Sequence, residues 1–177
     1  MSFAAGDAGF RWEEEVVDMT HCAVREFGPE TCATLSMRGS YDQMPHAFAR
    51  VYGWLEAAGH TPQGMPVAVY LNDPATVTPA DAQWEVWAPI EEGAPDVGRD
   101  DEGLAVTHIP AMTIATTIHK GPYDQVGPAY ERLTTWITEQ GLQPCGPPME
   151  AYLNDPDEAT ADEYLTEIMI PVGPPPG

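Results

Sequence analysis

The sequence predicts an α+β protein built from two tandem strand-helix-strand-strand modules related by a pseudo-twofold axis. Three observations lead to this prediction. The 177-residue chain matches itself without a gap at an offset of 82 positions. Each copy has one stretch of helical periodicity set among stretches with the alternation of β-strands. Hydrophobic residues make up 43% of the chain, which is typical of a globular domain and not of a disordered one.

The repeat is carried by short segments that keep the same order and spacing. Residues 70–74 read Tyr-Leu-Asn-Asp-Pro and recur unchanged at 152–156, and residues 38–43 resemble 120–125. The remaining matches are single residues at equivalent places: Trp54 and Trp136, Gly59 and Gly141, Glu85 and Glu167, Pro89 and Pro171. A match of this length indicates a duplicated module.

The first copy contains each element of the module in turn. Asp42 follows a glycine turn and is a predicted helix N-cap, and Gly59 lies where a left-handed C-cap is expected. The Asn-Asp-Pro turn ends the strand after the helix, because proline cannot continue a ladder. The predicted elements of this copy are strand 34–38, helix 43–58, strand 67–71 and strand 83–90.

The second copy gives the same order, with Asp124 as the predicted N-cap and Gly141 at the C-cap. Its predicted elements are strand 113–120, helix 125–140, strand 149–153 and strand 164–172. An extra strand is expected before each copy, at 22–26 and 104–109. We therefore expect one domain over residues 1–177, with a first repeat at about 20–90, an acidic solvated linker at 91–103, a second repeat at about 104–172 and a tail at 173–177. An antiparallel sheet with two main helices would leave a central cleft where the halves meet.

The charge of the chain restricts its partners. The net charge is −21, from 28 acidic and seven basic residues. Such a surface repels phosphate backbones and anionic membranes and attracts cations, so we expect no direct nucleic-acid or membrane partner. The three cysteines and five histidines lack ligand spacing, so neither a metal nor another cofactor is expected. Without a signal peptide or an apolar run of membrane-spanning length, a cytoplasmic protein is expected, and the duplicated module favours a monomer.

Two glutamates in the last strands are the main candidates for a site. Glu85 shares a strand face with Trp87, and Glu167 shares one with Met169. A carboxylate beside such side chains is costly to bury unless a cationic or hydrogen-bonding group compensates it. The pattern therefore predicts either a pocket for a lipophilic cation or, alternatively, two carboxylates that face solvent.

The repeated aromatic residues give further candidates. Tryptophans on helices, such as Trp54 and Trp136, are more often core residues than ligand contacts, whereas the strand-end Tyr70 and Tyr152 can equally cover the core or line a cleft. The predicted ligand-binding residues are Glu167, Glu85, Trp87, Tyr152, Tyr123, Trp136 and Met169. We predict no catalytic residue, except Glu167 if the protein is a hydrolase.

The order of motifs in both copies resembles the GyrI-like (gyrase-inhibitor-like) family, the effector-binding domain of many AraC- and MerR-type regulators. The resemblance covers about residues 20–172, and it is carried by the segments 120–123, 141–142, 146–148, 152–156 and 166–171. It implies two modules around a cleft in which a glutamate of the last strand and several aromatic rings meet hydrophobic, often cationic, drugs. Glu167 is the position matched to that glutamate, and Glu85 matches it through the repeat.

The resemblance leaves three functions open. The first is a stand-alone multidrug-binding protein, since only about twenty residues precede the first strand, too few for a helix-turn-helix domain. The second is a hydrolase of electrophilic, cyclopropane-bearing alkylators, as the resemblance to stand-alone members implies. The third is an acidic protein-interaction inhibitor of a DNA-binding enzyme.

Overall fold

The computed structural model describes residues 21–73 and 75–175 and has the predicted α+β architecture. Within these residues the strands are β1 Ala23–Phe27, β2 Glu30–Arg38, β3 Val67–Tyr70, β4 Gln83–Pro89, β5 Leu104–Ile109, β6 Met112–Lys120, β7 Gln143–Pro144, β8 Met149–Tyr152 and β9 Leu165–Gly173. The two α-helices are α1 Met44–Ala58 and α2 Gly127–Glu139.

The strands form one antiparallel sheet in the order β1-β6-β9-β8-β3-β4-β2-β5, with β7 paired to β9. The two copies join through β3 and β8, where Ala68 lies opposite Glu150. These two residues are equivalent in the repeat, so the pseudo-twofold axis passes between them. Each leading strand crosses to the other copy, because β1 pairs with β6 and β5 pairs with β2.

Both helices lie on the same face of the sheet. The apolar side of α1 buries Ala47, Val51 and Leu55, and α2 buries Ala129, Leu133 and Ile137. Helix α1 contacts β2 and β4, whereas α2 contacts β6 and β9. The central strands β3 and β8 therefore lie between the two helices. A separate apolar cluster that includes Phe27, Val69, Ile114, Met149 and Met169 covers the opposite face, which we call the outer face.

The helix starts differ from the prediction, whereas the helix ends agree with it. Asp42 and Asp124 lie in short 3-10 turns, and the α-helices begin two to three residues later without a side-chain cap. Proline near the first position of each helix removes one of the amide hydrogens that a cap would satisfy. Gly59 and Gly141 have left-handed backbones with φ of 77° and 67°, as expected at helix C-termini.

Most residues of the segment 91–103 are exposed, and the segment also contacts the sheet. Ala94 is buried, and Val97 forms a β-bridge with Val106 of β5. The segment thus runs along the edge of the sheet and places Arg99 in an ion pair with Glu85. No helix in the described part of the chain is long and apolar enough to cross a membrane.

Candidate ligand-binding site

Among the described residues, one buried carboxylate lies at the junction of the two copies. Glu150 is in β8, its side chain is only 7% exposed, and its cross-strand neighbour is Ala68 of β3. Since side chains alternate along a strand, Met149 and Ala151 face the outer cluster and Glu150 points between the helices. The carboxylate is thus held on the two most central strands, beneath the gap that α1 and α2 leave.

Three phenolic hydroxyl groups donate hydrogen bonds to Glu150. Tyr130 of α2 donates to Oε1 over 2.8 Å. Tyr70 and Tyr152, which occupy equivalent strand ends in the two copies, donate to Oε2 over 2.8 and 3.2 Å. Sheet and helix together therefore hold the carboxylate in one orientation.

The aromatic side chains around Glu150 come from equivalent positions in the two copies. Tyr41 corresponds to Tyr123, Tyr70 to Tyr152, and Phe48 to Tyr130. The rings meet edge to face, with centroid separations of 5.2 Å for Tyr41 and Tyr70, 5.3 Å for Tyr123 and Tyr152, and 5.7 Å for Phe48 and Tyr152. This is the usual geometry of aromatic pairs. We call these six rings and Glu150 the tyrosine–glutamate cluster.

The phenols of the cluster stay neutral. Burial is the main cause that raises the pKa of Tyr130 and Tyr152 far above its usual range, and the Glu150 carboxylate is the next. Burial also raises the pKa of Tyr70, followed by the neighbouring Tyr152 and then Glu150. Because the hydroxyls keep their protons, they act as donors to the carboxylate. Within the described residues, no lysine or arginine pairs with Glu150.

The predicted glutamates Glu85 and Glu167 lie instead on the outer face. Glu167 accepts hydrogen bonds from Arg25 (2.8 Å) and from the Thr116 hydroxyl (2.7 Å). Glu85 accepts hydrogen bonds from the Ser36 hydroxyl (2.6 Å), the Trp87 indole (2.9 Å) and Arg99 (3.1 Å). Each carboxylate is therefore paired with an arginine of the same chain, which is the kind of cationic compensation that the sequence pattern requires for a carboxylate on an apolar strand.

Glu167 also lines an open groove of about 400 Å³ on the outer face. Arg25 and Met169 lie beside Glu167 in this groove, and Val67 and Ala151 are also among its walls. The groove and the tyrosine–glutamate cluster are separated by the sheet.

The structure thus divides the seven predicted residues between two faces. Tyr152 and Tyr123 belong to the tyrosine–glutamate cluster. Trp136 packs beside the buried residues of α2. Glu85, Trp87, Glu167 and Met169 lie on the outer face. These residues do not form one site, because odd and even positions of a strand face opposite sides of the sheet.

Glu150 is the residue that sequence reasoning missed. The comparison of the two copies emphasised identical pairs, whereas Glu150 is aligned with Ala68 and differs in charge and size. Its signal was a carboxylate flanked by Met149 and Ala151 in the predicted strand 149–153. A carboxylate in such a strand can only be accommodated with several hydrogen-bond donors.

Comparison with models of protein families shows to which family this chain is related. The model of the GyrI-like small molecule binding domain matches residues 7–91 and again residues 92–173. The chain belongs to the GyrI-like family. Each match covers one copy of the repeat, so the GyrI-like domain accounts for nearly the whole sequence. A search of curated proteins found no match.

Several solved structures have a similar fold. The EcmrR C-terminal domain has a TM-score of 0.74 and 22% identity, with 87% of this chain and 98% of that domain covered. The EcmrR chain of an EcmrR–DNA complex also matches. This protein covers only 57% of the length of that EcmrR chain.

Two further structures are more distant. A hydrolase from Listeria innocua has a TM-score of 0.67 and 12% identity, with 87% and 92% of the two chains covered. SAV2435, solved with tetraphenylphosphonium, has a TM-score of 0.54 and 13% identity, with 86% and 94% covered. At these identities the similarities establish the fold alone.

Proposed function

We propose that this GyrI-like domain captures lipophilic organic cations of varied shape in the tyrosine–glutamate cluster. The observation that carries this proposal is the environment of Glu150. It is a buried carboxylate that accepts three hydrogen bonds from neutral hydroxyls and, within the described residues, pairs with no cationic side chain. Glu85 and Glu167 provide the contrast, because each already has an arginine partner.

Electrostatics explains why a cation is the fitting ligand. Burying an ionised carboxylate costs several kcal/mol, and hydrogen bonds from neutral donors offset only part of that cost. A cation that enters the cluster supplies the missing opposite charge in an environment where water screens it weakly. Cation–π contact with the surrounding rings adds about 0.5–2 kcal/mol.

Ligands of varied shape are expected because most of the cluster offers aromatic faces and edges. Such surfaces bind a ligand by burying its apolar area and by the attraction of its charge to the ring quadrupoles. These interactions require less exact geometry than a network of directional hydrogen bonds. The net charge of −21 would also concentrate cations near the protein. SAV2435, a distant structural neighbour, was solved with tetraphenylphosphonium, which agrees with this ligand class.

A pair of probes with equal shape and opposite charge tests the proposal. Tetraphenylphosphonium should bind saturably in a calorimetric or fluorescence titration, whereas tetraphenylborate should not. Glu150→Gln should weaken the binding of the phosphonium by about 30- to 150-fold, since it removes a Coulombic attraction of about 2–3 kcal/mol, the value for unit charges about 6–8 Å apart at an effective dielectric constant of about 20. Glu167→Gln, which removes the same charge on the outer face, is the matched control and should have little effect.

The titration also discriminates between the two faces of the sheet. Binding that is lost in Glu167→Gln and kept in Glu150→Gln would move the site to the outer groove and restore Glu167 as its anchor. Absence of saturable binding of either probe would refute a cation-binding function.

The same cluster favours one alternative. Three phenols beside a carboxylate could orient water or hydrogen-bond a substrate carbonyl, which are functions that hydrolysis requires. Turnover of a cyclopropane-bearing alkylator that disappears in Glu150→Gln would establish this activity. Absence of turnover with several such substrates would count against it.

A further inference from the structure

The hydroxyl group of Tyr41 lacks a partner within the cluster. Its oxygen is shielded from solvent and has no hydrogen-bond partner in the part of the chain that the structure describes. The ring is fixed by edge-to-face contacts with Tyr70 (5.2 Å) and Trp84 (6.0 Å). Tyr41 thus has a defined position and an unused polar group, in contrast to the three phenols that bond Glu150.

Tyr41 belongs to the same electrostatic environment as Glu150. Burial raises the pKa of its hydroxyl, and the Glu150 carboxylate is the second cause. Tyr41 also packs against Tyr70, whose hydroxyl donates to Glu150. The neutral Tyr41 hydroxyl therefore offers two acceptor lone pairs and one proton close to the buried charge.

The carboxylate itself has an acceptor position left. An ionised carboxylate has about four lone-pair sites. Among the residues that the structure describes, Oε2 of Glu150 accepts from two hydroxyls, whereas Oε1 accepts from Tyr130 alone. One acceptor position on Oε1 and the lone pairs of Tyr41 are therefore free to receive hydrogen bonds from a ligand.

We propose that the cluster selects cations that carry an N–H group, such as protonated amines and protonated nitrogen heteroaromatics, over fully alkylated cations of the same shape, with Tyr41 as the specificity-determining residue. This inference rests on the proposed cation-binding function. A ligand N–H can donate to Tyr41 or to Oε1 of Glu150, whereas a quaternary nitrogen can donate to neither. Because the Tyr41 oxygen is already shielded from solvent, the new bond requires desolvation of the ligand alone.

The test uses protonated acridine orange and its 10-methyl derivative. At neutral pH both are planar fluorescent cations, and they differ mainly in one ring N–H. We expect the N–H cation to bind about tenfold more tightly, the effect of one added hydrogen bond in a shielded site. Tyr41→Phe should reduce this preference about threefold or more by weakening only the N–H probe, and Oε1 of Glu150 would account for any preference that remains. Tyr164→Phe, which removes a phenolic hydroxyl from a ring outside the cluster, should leave the preference unchanged.

The possible results separate the two proposals. Equal binding of both probes to the wild-type protein would overturn the inference while leaving cation binding intact, and this comparison requires no variant to fold. A preference that is unchanged in Tyr41→Phe would also overturn the assignment to Tyr41. If neither probe binds, and Glu150→Gln has no effect on the binding of any cation tested, the proposed cation-binding function itself is refuted.

Discussion

The hydrogen bond between helix α2 and the central carboxylate can be measured through Tyr130→Phe. This change removes the hydroxyl that donates to Oε1 of Glu150 over 2.8 Å and keeps the ring. Phe48 occupies the equivalent position in α1, so a phenyl ring suits this place in the module. A hydrogen bond to a charged group contributes about 1.5–3 kcal/mol, and we expect a loss of about 2 kcal/mol in the free energy of unfolding. For a domain of this size that corresponds to a decrease of about 4–8 °C in Tm.

A double-mutant cycle with Glu150→Gln isolates the contribution of this pair. In the Glu150→Gln background the partner of Tyr130 is neutral, so Tyr130→Phe should cost only about 1 kcal/mol or less. Urea unfolding followed by tryptophan fluorescence would give the four free energies. Equal losses in both backgrounds would show that the two side chains are not coupled and would refute the electrostatic reasoning about the cluster.

Three further outcomes follow from other parts of the fold. The pKa of Glu91 is lowered from 4.5 to about 2. The main cause is the hydrogen bond from His60, and the second is the hydrogen bond from the backbone N–H of Thr61. Its stabilisation is therefore complete above pH 4.5 and is lost as the pH falls towards 2, so Glu91→Gln should lower Tm at neutral pH and should have no effect near pH 2. Iodoacetamide should modify the exposed Cys145 in the native protein and spare Cys32, because Cys32 is buried and burial raises its pKa to about 12. Peptide mass spectrometry measures both modifications, and modification of Cys32 ahead of Cys145 would contradict this prediction. Gly103→Ala should destabilise the fold by more than about 1 kcal/mol in urea unfolding, because φ is 88° and the new Cβ would lie 2.9 Å from a backbone carbonyl; unchanged stability would show that the turn relaxes.

The fold was predictable because its determinants are local and repeated. The 82-residue repeat and the periodicities of each copy identify the two helices and the principal strands. The starts of the helices were less predictable, since the glycine–tyrosine turns can close either as a 3-10 turn or as the first turn of an α-helix. The packing of segment 91–103 against β5 was missed because it depends on a bridge between Val97 and Val106, which no local pattern encodes.

The candidate site was predictable only in part. The contributions of Tyr123 and Tyr152 to an aromatic cleft were proposed from sequence, and both rings lie in the cluster. Identity between the copies drew attention to Glu85 and Glu167, whereas the carboxylate among the hydroxyls of the tyrosine–glutamate cluster is the unmatched Glu150. The arginines that neutralise the outer glutamates come from β1 and from segment 91–103, at positions that are not equivalent in the repeat. Such long-range pairing depends on strand order, which the sequence did not specify.

The most direct test of the central claim is the position of a bound cation. A crystal structure with tetraphenylphosphonium should show the ligand between α1 and α2, with its phosphorus nearest the Glu150 carboxylate and its rings among those of the tyrosine–glutamate cluster. A ligand found in the outer groove beside Arg25 and Glu167, with the cluster unchanged, would contradict the account.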